Sequence, residues 1–405
     1  MWQIEHQCPQ CGATTNIEET VRLFSCPYCR VRLYIASNDY QRHFLPSTEE
    51  DTIFIPYWRF KGMFFSFASG SVKHGLIDIS RNASRIEQLP NSLGLRTQTQ
   101  KLKFISIETK GRFLKPIRTL QDILYVNNPL IQNNSSFLER KTYIGESAGL
   151  IYSPIYLKNR TAYDGILKKK IFSLTDECLS ELTGSDNHPS TGTTFIPSLC
   201  PNCGWDLNGE SDSIVMTCNN CNAAWCIMGN RFVNIACGYI PLRDQNLLYL
   251  PFWKIEAKVD GMTLKCPEDF IRLCNLPPRL LAVESHDQPF YMLTPAFKIR
   301  PAIYLNLSRS MTLAPLAPIV KDALPKEPIY PVTLPLMDSF ESLKILIAYC
   351  SPSKEEISLR FHDLRFELIR AELIYWPFYP SNMELIRSDR QFSISSGALK
   401  WGNRL

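Results

Sequence analysis

The sequence has few of the features that announce membrane or catalytic chemistry. No apolar run approaches the ~20 residues a spanning helix needs; the nearest, LKILIAYC at 343–350, is far shorter. The opening residues MWQIEHQCPQC contain neither a basic segment nor an apolar one, so no secretory signal and no membrane insertion are expected, and a cytoplasmic location is. No G-x-x-x-x-G-K-[ST], G-x-G-x-x-G or H-E-x-x-H motif occurs. Histidine is scarce, six in 405 residues, and the one compact His/Asp pair is His74 with Asp78 in KHGLIDIS. No nucleophile accompanies it, and two strand residues four apart share a face, so the pair reads as a surface hydrogen bond. Glu49, Glu50 and Asp51 sit in a loop-like segment and read as solvated. These absences set the expectation of a non-enzymatic protein.

Charge is nearly balanced, at +5 overall, but it is unevenly placed. Residues 1–178 hold 23 Lys and Arg against 16 Asp and Glu, whereas residues 179–405 hold 21 against 23. An acidic partner would therefore prefer the first half. The densest basic stretch, 96–118, contains Arg96, Lys101, Lys103, Lys110, Arg112, Lys115 and Arg118 against Glu108 alone. A solvated strand face explains it, and so does an anionic partner such as nucleic acid, for which Arg22, Arg30, Arg32, Lys101, Lys103, Lys110 and Arg112 are the candidate contacts. Alternation puts Lys101 and Lys103 on one face; Lys110 and Arg112 share one only if the chain stays extended through Gly111.

Cysteine, by contrast, is plentiful: fourteen, in a chain long enough for two or three domains. Eight fall into two sets, Cys8, Cys11, Cys26, Cys29 and Cys200, Cys203, Cys218, Cys221, both spaced C-x2-C-x14-C-x2-C. In a chain without an export signal such pairs point to metal rather than disulfides. Two tight turns, each offering two thiolates, make a closed tetrahedral shell, and a shell with no open position suits structural zinc. Iron fits the same four sulfurs, so an electron-transfer role is the weaker alternative. In the second set CNNC lacks the proline of the other turns and has no following glycine, and Cys226 lies close enough in sequence to compete as a ligand. Cys178, Cys226, Cys237, Cys266, Cys274 and Cys350 are unpaired in the sequence and read as small buried apolar residues.

The text CPQCG…CPYCR and CPNCG…CNNCN resembles the zinc-ribbon, or rubredoxin-like knuckle, family over roughly forty residues at each site. The resemblance implies metal and a hairpin fold, not a function. The chain as a whole is similar to uncharacterised bacterial double-zinc-ribbon proteins, which adds no mechanism.

The ribbons are the first part of a longer repeat. TIFIPYWRFKG at 52–62 returns as LLYLPFWKIEA at 247–257, GLIYSPIYLKN at 149–159 as ELIYWPFYPSN at 372–382, and GRFLKP at 111–116 loosely as AFKIRP at 296–301. The matched order predicts an internal duplication, mainly β with a minority of helix, each unit a four-cysteine ribbon followed by an antiparallel β domain. The expected boundaries are ribbon one 1–45, β domain one 46–178, a linker 179–195, ribbon two 196–240 and β domain two 241–405, with a proline-rich insertion at 314–335. Pro56, Pro154, Pro251 and Pro377 interrupt strand patterns and predict corners in a curved sheet. DSFESLKILIAYC at 338–350 is the best helix, capped by Asp338 or Ser339 with Glu341 in its first turn. Tyr57, Trp58, Phe252 and Trp253 are expected in the core, with a base-stacking or ligand platform as the alternative, and Arg59 and Lys254 beside them read equally as solvated flanks. The partner expected is another protein, of unspecified identity.

Overall fold

The computed structural model describes residues 2–402 apart from 69, 95–98, 127–139, 185–186, 190–191, 245, 278–288, 315–320, 362 and 390–391. In the first unit, β1 (Gln3–Gln7), β2 (Thr14–Glu18), β3 (Leu23–Ser25) and β4 (Arg32–Ser37) belong to the ribbon region. Beyond it come β5 (Gln41–Phe44), β6 (Ile53–Ala68), β7 (Ser71–Asn82), β8 (Leu102–Phe104) and β9 (Arg112–Phe113), then α1 (Leu120–Val126), β10 (Arg140–Lys158), β11 (Thr161–Asp164), β12 (Lys170–Ser173) and α2 (Asp176–Gly184). The second unit opens with β13 (Thr193–Pro197), β14 (Val215–Cys218), β15 (Ala223–Met228) and β16 (Arg231–Ile235). It continues with β17 (Cys237–Tyr239), β18 (Leu248–Asp260), α3 (Pro267–Leu273), β19 (Met292–Pro295), α4 (Pro301–Thr312), α5 (Leu336–Cys350), α6 (Lys354–Arg360), β20 (Arg365–Pro380), β21 (Glu384–Arg387), β22 (Ser393–Ser395) and α7 (Ser396–Gly402). The fold is mainly β, 42% strand and 18% helix, with sheets after each cysteine cluster.

The two units have the same wiring. In unit one β10 runs antiparallel to β6 on one side and, on the other, pairs first with β5 in parallel and then with β11. In unit two β20 does the same with β18, β17 and β21. The registers agree residue by residue: Pro56 lies opposite Tyr152 and Pro251 opposite Tyr375, while Phe54 faces Pro154 and Tyr249 faces Pro377. Even the bulge recurs, between Gly145 and Ser147 on β10 and between Leu368 and Arg370 on β20. The carbonyl of Pro56 accepts from the Ala83 amide at 2.9 Å, and that of Pro251 from Ala296 at 3.0 Å. Trp58 Nε1 donates to the Arg118 carbonyl at 2.6 Å, and Trp253 Nε1 to the Leu334 carbonyl at 2.8 Å.

This bonding revises one sequence match. The Ala83 carbonyl accepts from Ile117 and Arg118, and the Ala296 carbonyl from Thr333 and Leu334. Residues 112–118 therefore correspond to 328–334, not to AFKIRP, whose Pro301 opens α4 at a position where a missing N–H costs nothing. Extra length in unit two also lies elsewhere than in the proline-rich stretch. Trp58 to its cross-strand partner Arg81 spans 23 residues, but Trp253 to Thr294 spans 41, with α3 in the difference. Ala83 to Ile117 spans 34 and Ala296 to Thr333 spans 37, which are nearly equal.

The prolines do not interrupt the pairing of their strands. β6 and β10 run through Pro56 and Pro154 without a register shift at either. In an extended strand a residue's N and C=O face the same neighbour, so the Pro56 nitrogen faces the gap where β7 gives way to β9. The missing donor falls where no ladder partner stands. The helix predicted at 338–350 starts earlier, at Leu336 after Pro335, so Asp338 lies in its first turn and caps nothing of its own. Its carboxylate accepts instead from the Gly145 amide at 3.1 Å, on the bulge of unit one.

The units interlock at two places. α4 and α5 lie against the far ends of β6, β7 and β10, where Phe65 meets Tyr304 at 5.9 Å and Phe67 meets Phe361 at 4.7 Å. Met63, Phe65, Phe67 and Ile144 of unit one thus belong to the main core of unit two. At the other place the ribbons meet. The segment 179–195 contains the end of α2 and the start of β13, and β13 pairs antiparallel with β4 of ribbon one. No helix of the described residues is long and apolar enough to cross a membrane.

Candidate metal centres

Each ribbon brings its four cysteines together. The Sγ atoms of Cys8, Cys11, Cys26 and Cys29 all lie within 4.8 Å of one another, and so do those of Cys200, Cys203, Cys218 and Cys221. Cys8 to Cys29 and Cys11 to Cys26 are both 3.8 Å; Cys200 to Cys221 is 3.6 Å and Cys203 to Cys218 is 3.4 Å. A tetrahedron with Zn–S of ~2.3 Å has S···S edges of about 3.8 Å, so the residues present fit a four-thiolate ion. All fourteen cysteines are free thiols, so the donors are not spent on disulfides.

The local backbone explains how the knuckles form. The residue after each second cysteine is left-handed: Gly12 at φ 74°, Arg30 at 64°, Gly204 at 72° and Asn222 at 53°. In three turns that residue's amide donates back to the first cysteine's carbonyl, Gly12 to Cys8 at 2.9 Å, Arg30 to Cys26 at 3.0 Å and Gly204 to Cys200 at 2.8 Å. Glycine adopts this conformation freely and asparagine tolerates it, so CNNC closes without a following glycine. Cys226 stays out of the cluster: it sits half-buried on β15 opposite Val215 and Val233.

Burial and hydrogen bonds prepare the thiols. The Asn220 side chain and the Trp205 amide hold the Cys203 thiol down to about 6, while burial pushes Cys218 up to about 12. Four thiols this close share their protons, and a divalent cation displaces them. The inner cysteines are covered, Cys8, Cys26 and Cys200 at 2% exposure and Cys218 at 0%.

The clusters also sit at a seam. Leu23, Tyr34 and Ala36 of ribbon one share a core with Cys200, Leu207, Met216 and Cys218 of ribbon two. The amides of Arg22 and Leu23 both donate to the Ser211 carbonyl, at 2.7 and 2.8 Å. Arg32 reaches the Gly209 carbonyl at 3.4 Å. Two of the three ribbon arginines proposed as anion contacts are thus half-buried at the seam, and only Arg30 is exposed.

The basic stretch is not one surface. Lys101 and Lys103 do share a face, but both pair with Glu5, at 3.8 and 3.1 Å. Gly111 has φ 127° and lies against the Phe54 ring, so the chain turns between exposed Lys110 and half-buried Arg112. Arg96 falls outside the described residues. Arg59 and Lys254 are not solvated flanks. Arg59, 3% exposed, pairs with Glu19 at 2.8 Å and with Asp78, which leaves His74 without the Asp78 partner its spacing promised. Lys254 pairs with Glu372 at 2.6 Å and lies 4.7 Å from the Tyr291 ring centre. Tyr57, Trp58, Phe252 and Trp253 are buried as expected. The Arg59 lock had no local signal, because Glu19 lies forty residues away.

Comparisons with family models, with curated proteins and with solved structures find no match. The fit to zinc-ribbon-like metal sites therefore rests on the spacing and geometry of the eight cysteines.

Proposed function

We propose that the protein is a non-enzymatic scaffold that binds another protein, and that two structural zinc ions fasten its halves at the ribbon seam. The observation that carries this reading is the shared core, in which two of the ligands, Cys200 and Cys218, pack against Leu23, Tyr34 and Ala36 of the other ribbon. A closed four-thiolate shell supplies folding free energy rather than a reactive position. Exposed aromatics at the knuckles, Tyr28 at 68% and Trp205 at 61%, offer anchors of the kind protein interfaces use. The nucleic-acid alternative has less support, because its basic residues are divided between a seam, a Glu5 pair and a turn.

Metal analysis of the purified protein is the direct test, with two zinc ions per chain expected. One ion or none, or an iron spectrum, refutes the assignment. Cys200→Ser should open both ribbons to protease, since their core is common; cleavage confined to ribbon two refutes the fastening role. DNA or RNA binding that falls steeply with salt would instead favour the alternative.

A further inference from the structure

Two sheets end beside one another at the ribbon seam. β2 is the last strand of the large sheet of unit one, and β3 is the last strand of the small sheet that β4 and β13 complete. A cavity of about 720 Å³ is lined by every residue of both strands and by Gly209, Glu210 and Ser211 of ribbon two. Side chains alternate between the faces of a strand, so a cavity that touches five consecutive residues of β2 runs along its edge. The phase of the ladder fixes what that edge presents. The Cys8 amide donates to the Ala13 carbonyl at 2.9 Å and the Glu19 amide to the Trp2 carbonyl at 3.2 Å, so in between His6 bonds with Thr15 and Ile4 with Ile17. The backbone groups of Thr14, Asn16 and Glu18 therefore face away from β1. By the same phase, set by Cys26 with Val31 and Arg22 with Ile35, those of Leu23 and Ser25 face away from β4. The Ser211 carbonyl takes the Leu23 amide, and the Val21 amide takes the Glu18 carbonyl. Among the described residues nothing takes the backbone groups of Thr14, Asn16 and Ser25. A free edge of this kind is a template for another strand.

We infer that this groove takes an extended segment of another protein as an added strand on β2, and that the segment carries basic side chains. The inference rests on the scaffold reading and gives it a docking surface. Charge sets the basic preference. Glu18 and Glu210 are exposed on the groove, and among the described residues neither has an ion-pair partner. The one cation of the groove, Arg32, is half-buried with its guanidinium on the Gly209 carbonyl at 3.4 Å. An incoming lysine or arginine thus meets two free carboxylates and one cation already engaged. Main-chain bonds to β2 supply affinity, and alternate side chains of the added strand supply specificity. Tyr28, 68% exposed on the same groove, offers its ring to an apolar side chain. Glu210 and Ser211 come from ribbon two, so the groove is complete only while the two ribbons are docked.

The test uses a phage-displayed library of random dodecapeptides, selected on the zinc-loaded full chain. Enriched peptides should be rich in Lys and Arg, and on binding should slow amide exchange in residues 14–18. Asn16→Pro removes an outward N–H and no ladder bond, a change that edge strands tolerate, and should weaken these peptides about tenfold, the effect of one hydrogen bond. Glu18→Lys with Glu210→Lys is the second variant, on exposed positions. Binding to the wild type should fall as salt rises, and binding to this variant should not. Peptides that bind both variants as they bind the wild type, or that slow exchange elsewhere, overturn the groove and leave the scaffold reading standing. No enrichment at all also overturns the groove; the scaffold reading is lost only if the intact chain captures no protein from its native host either. A dimer of the free chain that Asn16→Pro dissolves would put a second copy on the edge, and overturns the assignment to another protein.

Discussion

His43 is a residue through which acid should act on this fold. It sits on β5 at 5% exposure, with its ring 5.0 Å from Phe104 and its Nε2 without a partner. Burial, and then the charge of Arg22, push its pKa down to about 3. The folded value lies below the unfolded ~6.5, so between the two the unfolded chain takes a proton that the folded chain refuses. Stability from this residue is complete above pH 6.5 and falls as pH drops, by about 1.4 kcal/mol per pH unit. His43→Leu should remove that slope between pH 6.5 and 5 in urea unfolding, whereas metal loss in acid would persist in both proteins. An unchanged slope would acquit His43. Residue scale is also where sequence reading was weakest. Arg59 read as easily as a solvated flank as a contact residue, and only the fold brings Glu19 and Asp78 to it.

At the scale of elements, the repeated Pro–aromatic–Trp strand is a connection as well as a core. Its tryptophan locks the strand to the segment that leads into α1 or α5, by one hydrogen bond in each unit. Trp58→Phe and Trp253→Phe keep most of the apolar area and strand a carbonyl, so each should cost about 1–3 kcal/mol. Denaturant midpoints measure this, and similar losses are expected because the two bonds are equivalent. A cost at one site only would mean the duplicated strands have diverged in role. The strands themselves were legible from β-branched and aromatic runs. α4 was not, because AFKIRPAIYLNLSRSMT opens with a strand-like phrase, and its helical start depends on Pro301 at the first position.

On the scale of the whole molecule, the duplication does not make two separable proteins. Residues 1–178 lack β13, the partner of β4, and lack the helices that cover Phe65, Phe67 and Ile144. Expressed alone, this half should bind an apolar-surface dye and aggregate. Expressed together, fragments 1–186 and 187–405 should purify as a one-to-one complex. A soluble, cooperatively melting 1–178 would show that the interlock is dispensable.

The sequence by itself determined the two four-cysteine clusters, the β character and the order of the repeat. Each of these is local: a thiol pair needs only a tight turn, strand preference follows side-chain shape, and a copied segment keeps its own pattern. Tertiary structure alone decided that the ribbons share one core and that unit two's helices cover unit one's sheet. It also decided that 328–334 rather than 296–301 answers 112–118. These depend on which distant surfaces bury each other, and burial is a property of pairs of segments that neither segment encodes alone.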